Sequence, residues 1–461
     1  MHTIPRQTWV RPEDEGWEEV LERFLAEHPD IDTFEVILPD TNGVLRGKWL
    51  PGTAIRKVFE EGVALPFALF GVDVWGREVE ETGLHIETGD MDGVCWPIAR
   101  TLTLVPWAAR KTAQVLMHMY DREGKPFLID PRHVLDRMNG KLASHGLSAT
   151  AAFELEFYLF EESEGDWSGP PKPVFATHLG PARQNMYALS DLESLMTLVD
   201  EIRRGAEMQD IPADAAVSEA APGQFELNLH HRRDALMAAD DAVLLRRLVA
   251  GVARKHNLKA SFMAKPFVDW PGNGMHVHVS LENELGNIFA DPVEGETRLQ
   301  HAIAGLLDTM PQSLLLYIST FNGFRRMQPG SYAPTSICWG YDNRSVALRV
   351  PASKPAASRI EHRIAGADAN PYLVLTGVIS GMLDGISVGV MPPPPVEGNA
   401  YEKGYKRLTP WMDEAIDAFE ASARMKEAVG HHMHKVLTDI KREELNAFGR
   451  EISSLERQTY L

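Results

Sequence analysis

Residues 151–160 read AAFELEFYLF, and the alternation within this run decides the fold. Phe153, Leu155 and Phe157 fall on one face of a strand, while Glu154 and Glu156 fall on the other. Aromatic side chains suit a pleated, half-buried surface. The plain expectation for the acidic face is an edge strand open to solvent. The alternative is a metal site. Two carboxylates held close together repel each other, and a cation between them relieves the repulsion.

The bulk of the chain bounds the answer. At 461 residues it is too long for one simple core, so two domains are expected. With 44% hydrophobic and 24% charged residues, its composition is that of an ordinary globular protein. A formal net charge of −19 argues against a nucleic-acid partner and favours cationic ones. Two isolated cysteines, Cys95 and Cys338, make no disulfide framework and fit a reducing compartment. The start, MHTIPRQTWVRPEDEG, has no apolar core, so no signal peptide is expected and a cytoplasmic location follows. The most apolar late stretch, 372–390, contains Asp384 and several glycines, which suits a buried helix and no membrane span.

Outward from the central run, two α+β segments emerge. Residues 14–28 carry Trp17, Val20, Leu21, Phe24 and Leu25 at helical spacing. In FEVILPDTNGVLRGKWLP (34–51), Asn42-Gly43 between two apolar runs predicts a hairpin. Strand-like pieces follow at TLTLVPW (101–107) and QVLMHMYD (114–121), giving a small first domain over 14–123 with its junction in DREGKP (121–126). The second domain, 124–461, opens with a helix after Asp130-Pro131. A polar loop is expected over 161–185, then a helix at 190–208 with Leu192, Leu195, Met196, Val199 and Ile202 on one face. Further helices are expected at 234–256, at 298–319 and over the C-terminal stretch, with PPPPV (392–396) a rigid surface segment. Short strands separate them: QFELNLH (224–230), ASFMAKP (260–266), GMHVHVSL (274–281) and VALRVP (346–351). Half-buried strands among irregularly spaced helices favour an antiparallel sheet covered by helices.

The charged residues collect in the same segments. SEAAPGQFELNL (218–229) supplies Glu219 and Glu226 around a Pro222-Gly223 turn, so both can face one space from adjoining strands. In GMHVHVS (274–280), His276, His278 and Ser280 share a face. SRIEHR (358–363) places Glu361 between Arg359 and Arg363. Glu154, Glu156, Glu219, Glu226, Glu361 and His276 form a carboxylate-rich set with one imidazole, which suits Mg²⁺ or Mn²⁺ and not structural zinc. Five converging acids call for at least two divalent ions. A basic set, Arg325, Arg326, Arg344, Arg349, Arg359 and Arg363, has the forked geometry that grips carboxylates and phosphates. Metals beside such arginines point to phosphoryl transfer from a nucleotide. The chain has no Walker loop and no kinase glycine loop, so strands and side chains would hold it. Singly, each histidine reads as a satisfied sheet residue and each arginine as a surface ion pair. The HHMH cluster at 431–434 reads as a solvated helix face.

The order E-x-E, E…GQxE, GMHxH, RR…PG…AP, NRSxxxRxP and RIExR…ANPYL resembles the glutamine synthetase family over nearly the whole chain. The resemblance implies a β-grasp N-terminal domain and a catalytic domain on a curved antiparallel sheet. It implies one metal on Glu156, Glu219 and Glu226, and a second on Glu154, His276 and Glu361. Glutamate would be gripped by Arg326, Arg344 and Arg363 with the backbone at Gly272. ATP would meet His278, Ser280, Arg344, Arg349 and Arg359. The implied reaction passes through γ-glutamyl phosphate, and the implied assembly is a dodecamer of two stacked hexameric rings.

Two departures concern the amine. The family's D-G-S-S stretch is replaced by LPFALFGVD, and its P-G-Y-E-A-P flap reads QPGSYAP, with Tyr332 where a glutamate belongs. Both acids of the ammonium pocket are gone, and an aromatic ring suits an alkyl chain or a cationic amine. Pro271 also stands in place of a glutamate-holding asparagine, and Ala356 in place of an ATP-contacting lysine, with Lys354 nearby. These changes resemble the branch that joins glutamate to larger amines, with Arg344 and Tyr332 at the reacting groups. An ordinary glutamine synthetase and a non-catalytic scaffold of the same fold are the alternatives. Tyr401 stands where some relatives carry an adenylylated tyrosine, but its flanking residues differ and the modification is not expected.

Overall fold

The computed structural model describes residues 16–161, 172–174 and 186–461. Most of the polar loop expected over 161–185 lies outside these residues.

A first sheet of six strands gathers β1 (Thr33–Pro39), β2 (Leu45–Pro51), β3 (Val63–Pro66), β4 (Asp92–Pro97), β5 (Thr103–Leu104) and β6 (Thr112–Tyr120) in the order β2-β1-β6-β4-β3, with β5 also on β6. The Asn42-Gly43 hairpin forms as expected. Gly43 has φ +76°, and the Asp40 carboxylate accepts the Asn42 and Val44 amides, both at 2.9 Å. TLTLVPW is mostly irregular. Only Thr103–Leu104 is strand, because Ala99–Thr101 turns into a 3-10 helix just before it.

A second sheet of nine strands carries the chemistry. Its members are β7 (Ser148–Glu161), β8 (Ala213–Ser218), β9 (Gln224–Leu229), β10 (Leu258–Ser261), β11 (Met275–Asn283), β12 (Gly286–Asn287), β13 (Trp339–Tyr341), β14 (Leu348–Val350) and β15 (Ile360–His362). The order is β13-β14-β15-β11-β7-β9-β8, antiparallel except between β13 and β14. The run AAFELEFYLF therefore lies in an inner strand, and the edge-strand expectation fails. β11 and β9 flank it on its two sides. Phe153, Leu155 and Phe157 are buried in the main apolar cluster, with helices Pro131–Ser144 and Ala235–Lys255 packed against the strand.

Several helix starts are capped by side chains. Asp130 accepts the Arg132 amide at 2.9 Å, Asp234 the Leu236 amide at 2.8 Å, and Asn370 the Tyr372 amide at 3.1 Å. The apolar stretch near 372–390 is helix Pro371–Val388, long and apolar enough to cross a membrane but mostly buried inside the fold. It crosses helix Gly295–Tyr317 at glycines. A Cβ at Gly305 or Gly385 would collide with the opposing backbone. The helix expected at 190–208 is two pieces, Leu189–Ser194 and Met196–Met208. The break at Leu195 rotates Met196 into solvent and puts Leu198 and Ile202 inside. The proline segment 392–396 is surface chain except for Val396, which is buried.

Polar ties join the loops of the first sheet to helices of the later chain. Asn370 Nδ2 donates to the Asp40 carbonyl at 3.1 Å. Lys441, fully buried, donates to Asn42 and to Glu444, and Glu444 in turn accepts the Val74 amide at 3.0 Å. A buried ammonium is tolerated only with such partners.

Candidate active site

Strand register assembles the site. Across β7 and β11, Glu154 lies opposite His276; across β7 and β9, Glu156 lies opposite Glu226. Across β11 and β15, His278 lies opposite Glu361, and across β14 and β15, Glu361 lies opposite Arg349. Glu219 follows β8 at the turn into β9, where its amide donates to the Gln224 carbonyl at 2.9 Å. Directly paired residues share a face, so residues from five strands converge on the acidic side of β7.

His276 sits among three carboxylates. Its Nδ1 is 3.1 Å from Glu154 and 3.8 Å from Glu361, and its Nε2 is 3.9 Å from Glu156. Arg359 Nε donates to His278 Nδ1 at 3.1 Å, which leaves the proton on Nε2 to face Glu154 at 2.8 Å. The Glu156 carboxylate accepts the Gly274 amide at 2.6 Å. Glu361 accepts from Arg349 at 2.8 Å and from Arg363.

The electrostatics divide the acids. Burial pushes Glu226 up to about 9, with Glu154, Glu156 and Glu219 adding like-charge repulsion. Burial, then Glu156, pushes Glu219 up to about 7. Glu361 goes the other way, to about 2: burial opposes this, but the Arg363 charge and the two histidines outweigh it. Burial likewise opposes ionisation of Glu154, and hydrogen bonds from His276 and His278 hold it well below the usual carboxylate range.

This donor set fits divalent cations. In two groups, Glu154–Glu226–His276 and Glu154–His278–Glu361, the ligand atoms lie within 4.8 Å of one another. The partition expected from sequence differs: it put Glu156 and Glu219 with Glu226, and His276 with Glu361. Here the carboxylates follow the protein's own donors, Glu156 toward Gly274 and Glu361 toward its two arginines.

The other expected residues surround this centre. Ser280 is buried two positions beyond His278 on the same face. Arg326 is buried and donates to the Ile364 carbonyl at 2.9 Å. The Gly272 carbonyl accepts from Gln224 at 3.1 Å, and a Cβ at Gly272 would crowd both the Ala264 carbonyl and Arg326. Arg349 and Arg363 each keep a buried Nε without a partner among the described residues, as an anion-binding fork would. Arg349 also pairs with Asp342, which the sequence reading did not single out. Lys354 is exposed just before the 3-10 turn Pro355–Ala357.

Arg344 and Tyr332 line a cavity of about 800 Å³ with Tyr341, Asp342, Glu397 and Tyr401. Tyr332 is 62% exposed and holds φ +57°, an uncommon conformation for a bulky residue. The acid nearest the replaced D-G-S-S stretch is Asp73. It is buried and consumed by its own turn, accepting the Trp75 and Arg77 amides at 2.9 Å and Arg77 Nε at 2.7 Å.

Two further residues were missed. Asn228 lies opposite Glu154 and hydrogen-bonds Glu226; its place in QFELNLH, two residues after Glu226 on the same face, was a usable signal. Tyr187 ends the long polar loop with φ +61°, and the charges of Glu219, Arg344, Glu226 and Glu154 all reach its hydroxyl. Nothing local in the sequence marked it.

With fold and site in place, the comparisons agree on a class. The glutamine synthetase catalytic domain matches residues 128–460, and the chain belongs to the glutamine synthetase family of ligases. Members of this family use ATP, glutamate and divalent metal ions. Gamma-glutamylputrescine synthetase PuuA of Escherichia coli (strain K12) is 38% identical over 441 residues, covering 95% of this chain and 93% of that protein. Glutamate–isopropylamine ligase of a Pseudomonas species is 33% identical, covering 91% and 93%. A solved GmaS–ADP complex superposes with a TM-score of 0.82 at 24% identity, covering 95% of this chain and 98% of that one, and so shares its fold.

Proposed function

We propose that this protein is an ATP-dependent ligase that joins the γ-carboxylate of L-glutamate to an organic amine. The observation that carries the reading is Tyr332. An exposed aromatic ring stands on the loop where an ammonium site needs an acid, while Glu154, Glu226, His276, His278 and Glu361 gather into two groups able to hold a metal ion. The named amine ligases among its relatives support it.

Glutamate would lie against Arg326 and Arg363, with the Gly272 backbone alongside, and ATP against His278, Ser280, Arg344, Arg349 and Arg359. Glu156, Glu219 and Glu226 would hold one Mg²⁺ or Mn²⁺, and Glu154, His276 and Glu361 a second. These ions supply charge neutralisation on the transferring phosphoryl group. A γ-carboxylate oxygen attacks the γ-phosphorus as its bond to ADP breaks. The amine nitrogen then attacks the γ-carbonyl carbon, phosphate leaves, and the nitrogen gives up its proton to the departing phosphate. The arginine forks oppose the charge that builds on the phosphoryl oxygens, and Arg344 serves both anions. Tyr332 covers the amine's alkyl portion, and its ring face tolerates a cationic acceptor.

We place the domain boundary near residue 123, the assembly as a dodecamer and the location as the cytoplasm. The test is phosphate release from ATP with Mg²⁺ and glutamate across ammonium, putrescine, spermidine, spermine, ethanolamine and isopropylamine. Turnover with an organic amine and little with ammonium is expected. Turnover with ammonium alone would make the chain an ordinary glutamine synthetase, and silence across the panel would point to an amine outside the panel or to a scaffold.

A further inference from the structure

Residues 393–408 form a brace behind two loops of the site. On one side the Val396 amide donates to the Trp339 carbonyl at 2.8 Å, and Trp339 Nε1 donates to the Pro393 carbonyl at 2.7 Å. The residues flanking Arg344 are tied to the same brace. Asn343 Nδ2 donates to the Gly398 carbonyl at 2.8 Å, and Ser345 Oγ accepts the Ala400 amide at 3.0 Å. On the other side the Ile337 amide donates to the Lys406 carbonyl at 2.8 Å, and the Leu408 amide to the Thr335 carbonyl at 2.9 Å. Val396 and Ala400 bury their side chains with Cys338 and Val346.

The loop between Arg326 and Thr335 is held differently. Its internal bonds run within itself, from Ser331 Oγ to the Gln328 carbonyl at 2.6 Å and to the Arg326 carbonyl at 3.3 Å. Among the described residues, the hydrogen bond that reaches 329–334 from outside the loop comes from the brace: Tyr401 Oη donates to the Ala333 carbonyl at 2.9 Å. Ala333 immediately follows Tyr332, the left-handed residue, and Ala333 is itself buried. Burial pushes the Tyr401 hydroxyl up to about 12, so it remains a donor at neutral pH, and the Arg363 and Arg326 charges reach it.

We propose that Tyr401 is a positioning residue for amine selection: its hydroxyl pins the Ala333 carbonyl and so fixes Tyr332 at the mouth of the cavity it shares with Arg344. A left-handed tyrosine persists only where its surroundings over-determine it, and the Tyr401 bond supplies that determination from a segment that also sets Arg344. The inference rests on the amine-ligase reading for what Tyr332 contacts. The tether itself stands on the geometry alone.

The experiment compares Tyr401→Phe and Tyr401→Ala with the full-length wild type in two readouts. The first is steady-state kinetics with the best amine of the panel; the second is amide hydrogen exchange of residues 328–335. For Tyr401→Phe, loss of one neutral hydrogen bond is expected to raise KM for the amine about 2- to 10-fold. Its kcat and its KM for ATP should stay within about twofold of wild type, and exchange at residues 331–333 should quicken. Tyr401→Phe matching wild type in both readouts, with only Tyr401→Ala impaired, would reduce the ring to packing and overturn the proposal. A KM change without faster exchange overturns the tether, and faster exchange without a KM change overturns its role in selection. If the wild type turns over no amine, the functional reading fails by itself, and the exchange comparison still decides the tether.

Discussion

Arg349 Nη1 donates to Glu361 Oε2 at 2.8 Å across adjacent strands, and Arg363 takes the other oxygen of the same carboxylate. Glu361 is 1% exposed, so its charge is satisfied by these two guanidinium groups and by the nearby imidazole of His276. Glu361→Ala would leave buried Arg363 and half-buried Arg349 without their shared anion and remove a candidate metal donor. ATP turnover should fall by at least about 100-fold, since even residues that only orient a metal ligand cost 10- to 100-fold. Isothermal titration of Mg²⁺ should show a weakened site in the same variant. Retained turnover would sink the metal assignment.

Glu226 and Glu219, pushed up to about 9 and about 7, give the cluster a pH signature. Both lie above the ordinary carboxylate value of the unfolded chain, so the metal-free fold holds protons that the unfolded chain has released. Their contribution to stability is therefore present in acid and is lost as pH rises through about 7 and then about 9. A divalent cation competes with the same protons, so its binding strengthens over that window. Thermal melts with EDTA and with Mg²⁺ from pH 6 to pH 9 should show the Mg²⁺ shift in Tm growing with pH. A shift independent of pH would contradict the assignment of these two acids.

Tyr332 should decide between organic amines and ammonium. Tyr332→Glu places a carboxylate in the cavity and removes the aromatic face. Turnover with the preferred organic amine should drop about tenfold, which corresponds to about 1.4 kcal/mol, while ammonium use rises. Unchanged selectivity across the amine panel would remove Tyr332 from the acceptor site.

Away from the site, Asp240 is fully buried and accepts from Arg132 at 3.1 Å, from Tyr372 at 2.6 Å and from Arg100. Asp240→Ala would leave the Arg132 guanidinium buried without its anion, at a cost of about 3–5 kcal/mol. Tyr372→Phe removes one neutral donor to the same carboxylate and should cost about 1–2 kcal/mol. Urea denaturation midpoints check both, and the folded fraction of Tyr372→Phe should keep its ATP and amine KM values.

Periodicity made much of this protein legible in one dimension. AAFELEFYLF specified a strand with an apolar and an acidic face, GMHVHVS a strand with two histidines on one face, and Asn42-Gly43 a hairpin, because side-chain direction alternates with fixed geometry along a strand. The same alternation named Glu154, Glu156, Glu226 and His276 as residues of one kind of site. The run at 190–208 misled because a helical pattern does not report a break such as that at Leu195, where neighbouring elements override local propensity.

Tertiary structure alone decided which faces meet. No local rule places β7 between β9 and β11, and that placement turned a solvent-edge expectation into an inner strand with half-buried acids. Register across strands far apart in sequence set Glu154 against His276 and Glu361 against Arg349, and so set which carboxylates ionise easily and which resist. Tyr187 reaches the site with no motif of its own, and the bond from Tyr401 to the Ala333 carbonyl joins segments far apart in sequence, so neither relationship exists before the chain folds. Sequence determined the chemistry available, because residue type and alternation are local. The fold determined its arrangement, because burial and Coulomb interaction depend on neighbours that the chain brings together only when it closes.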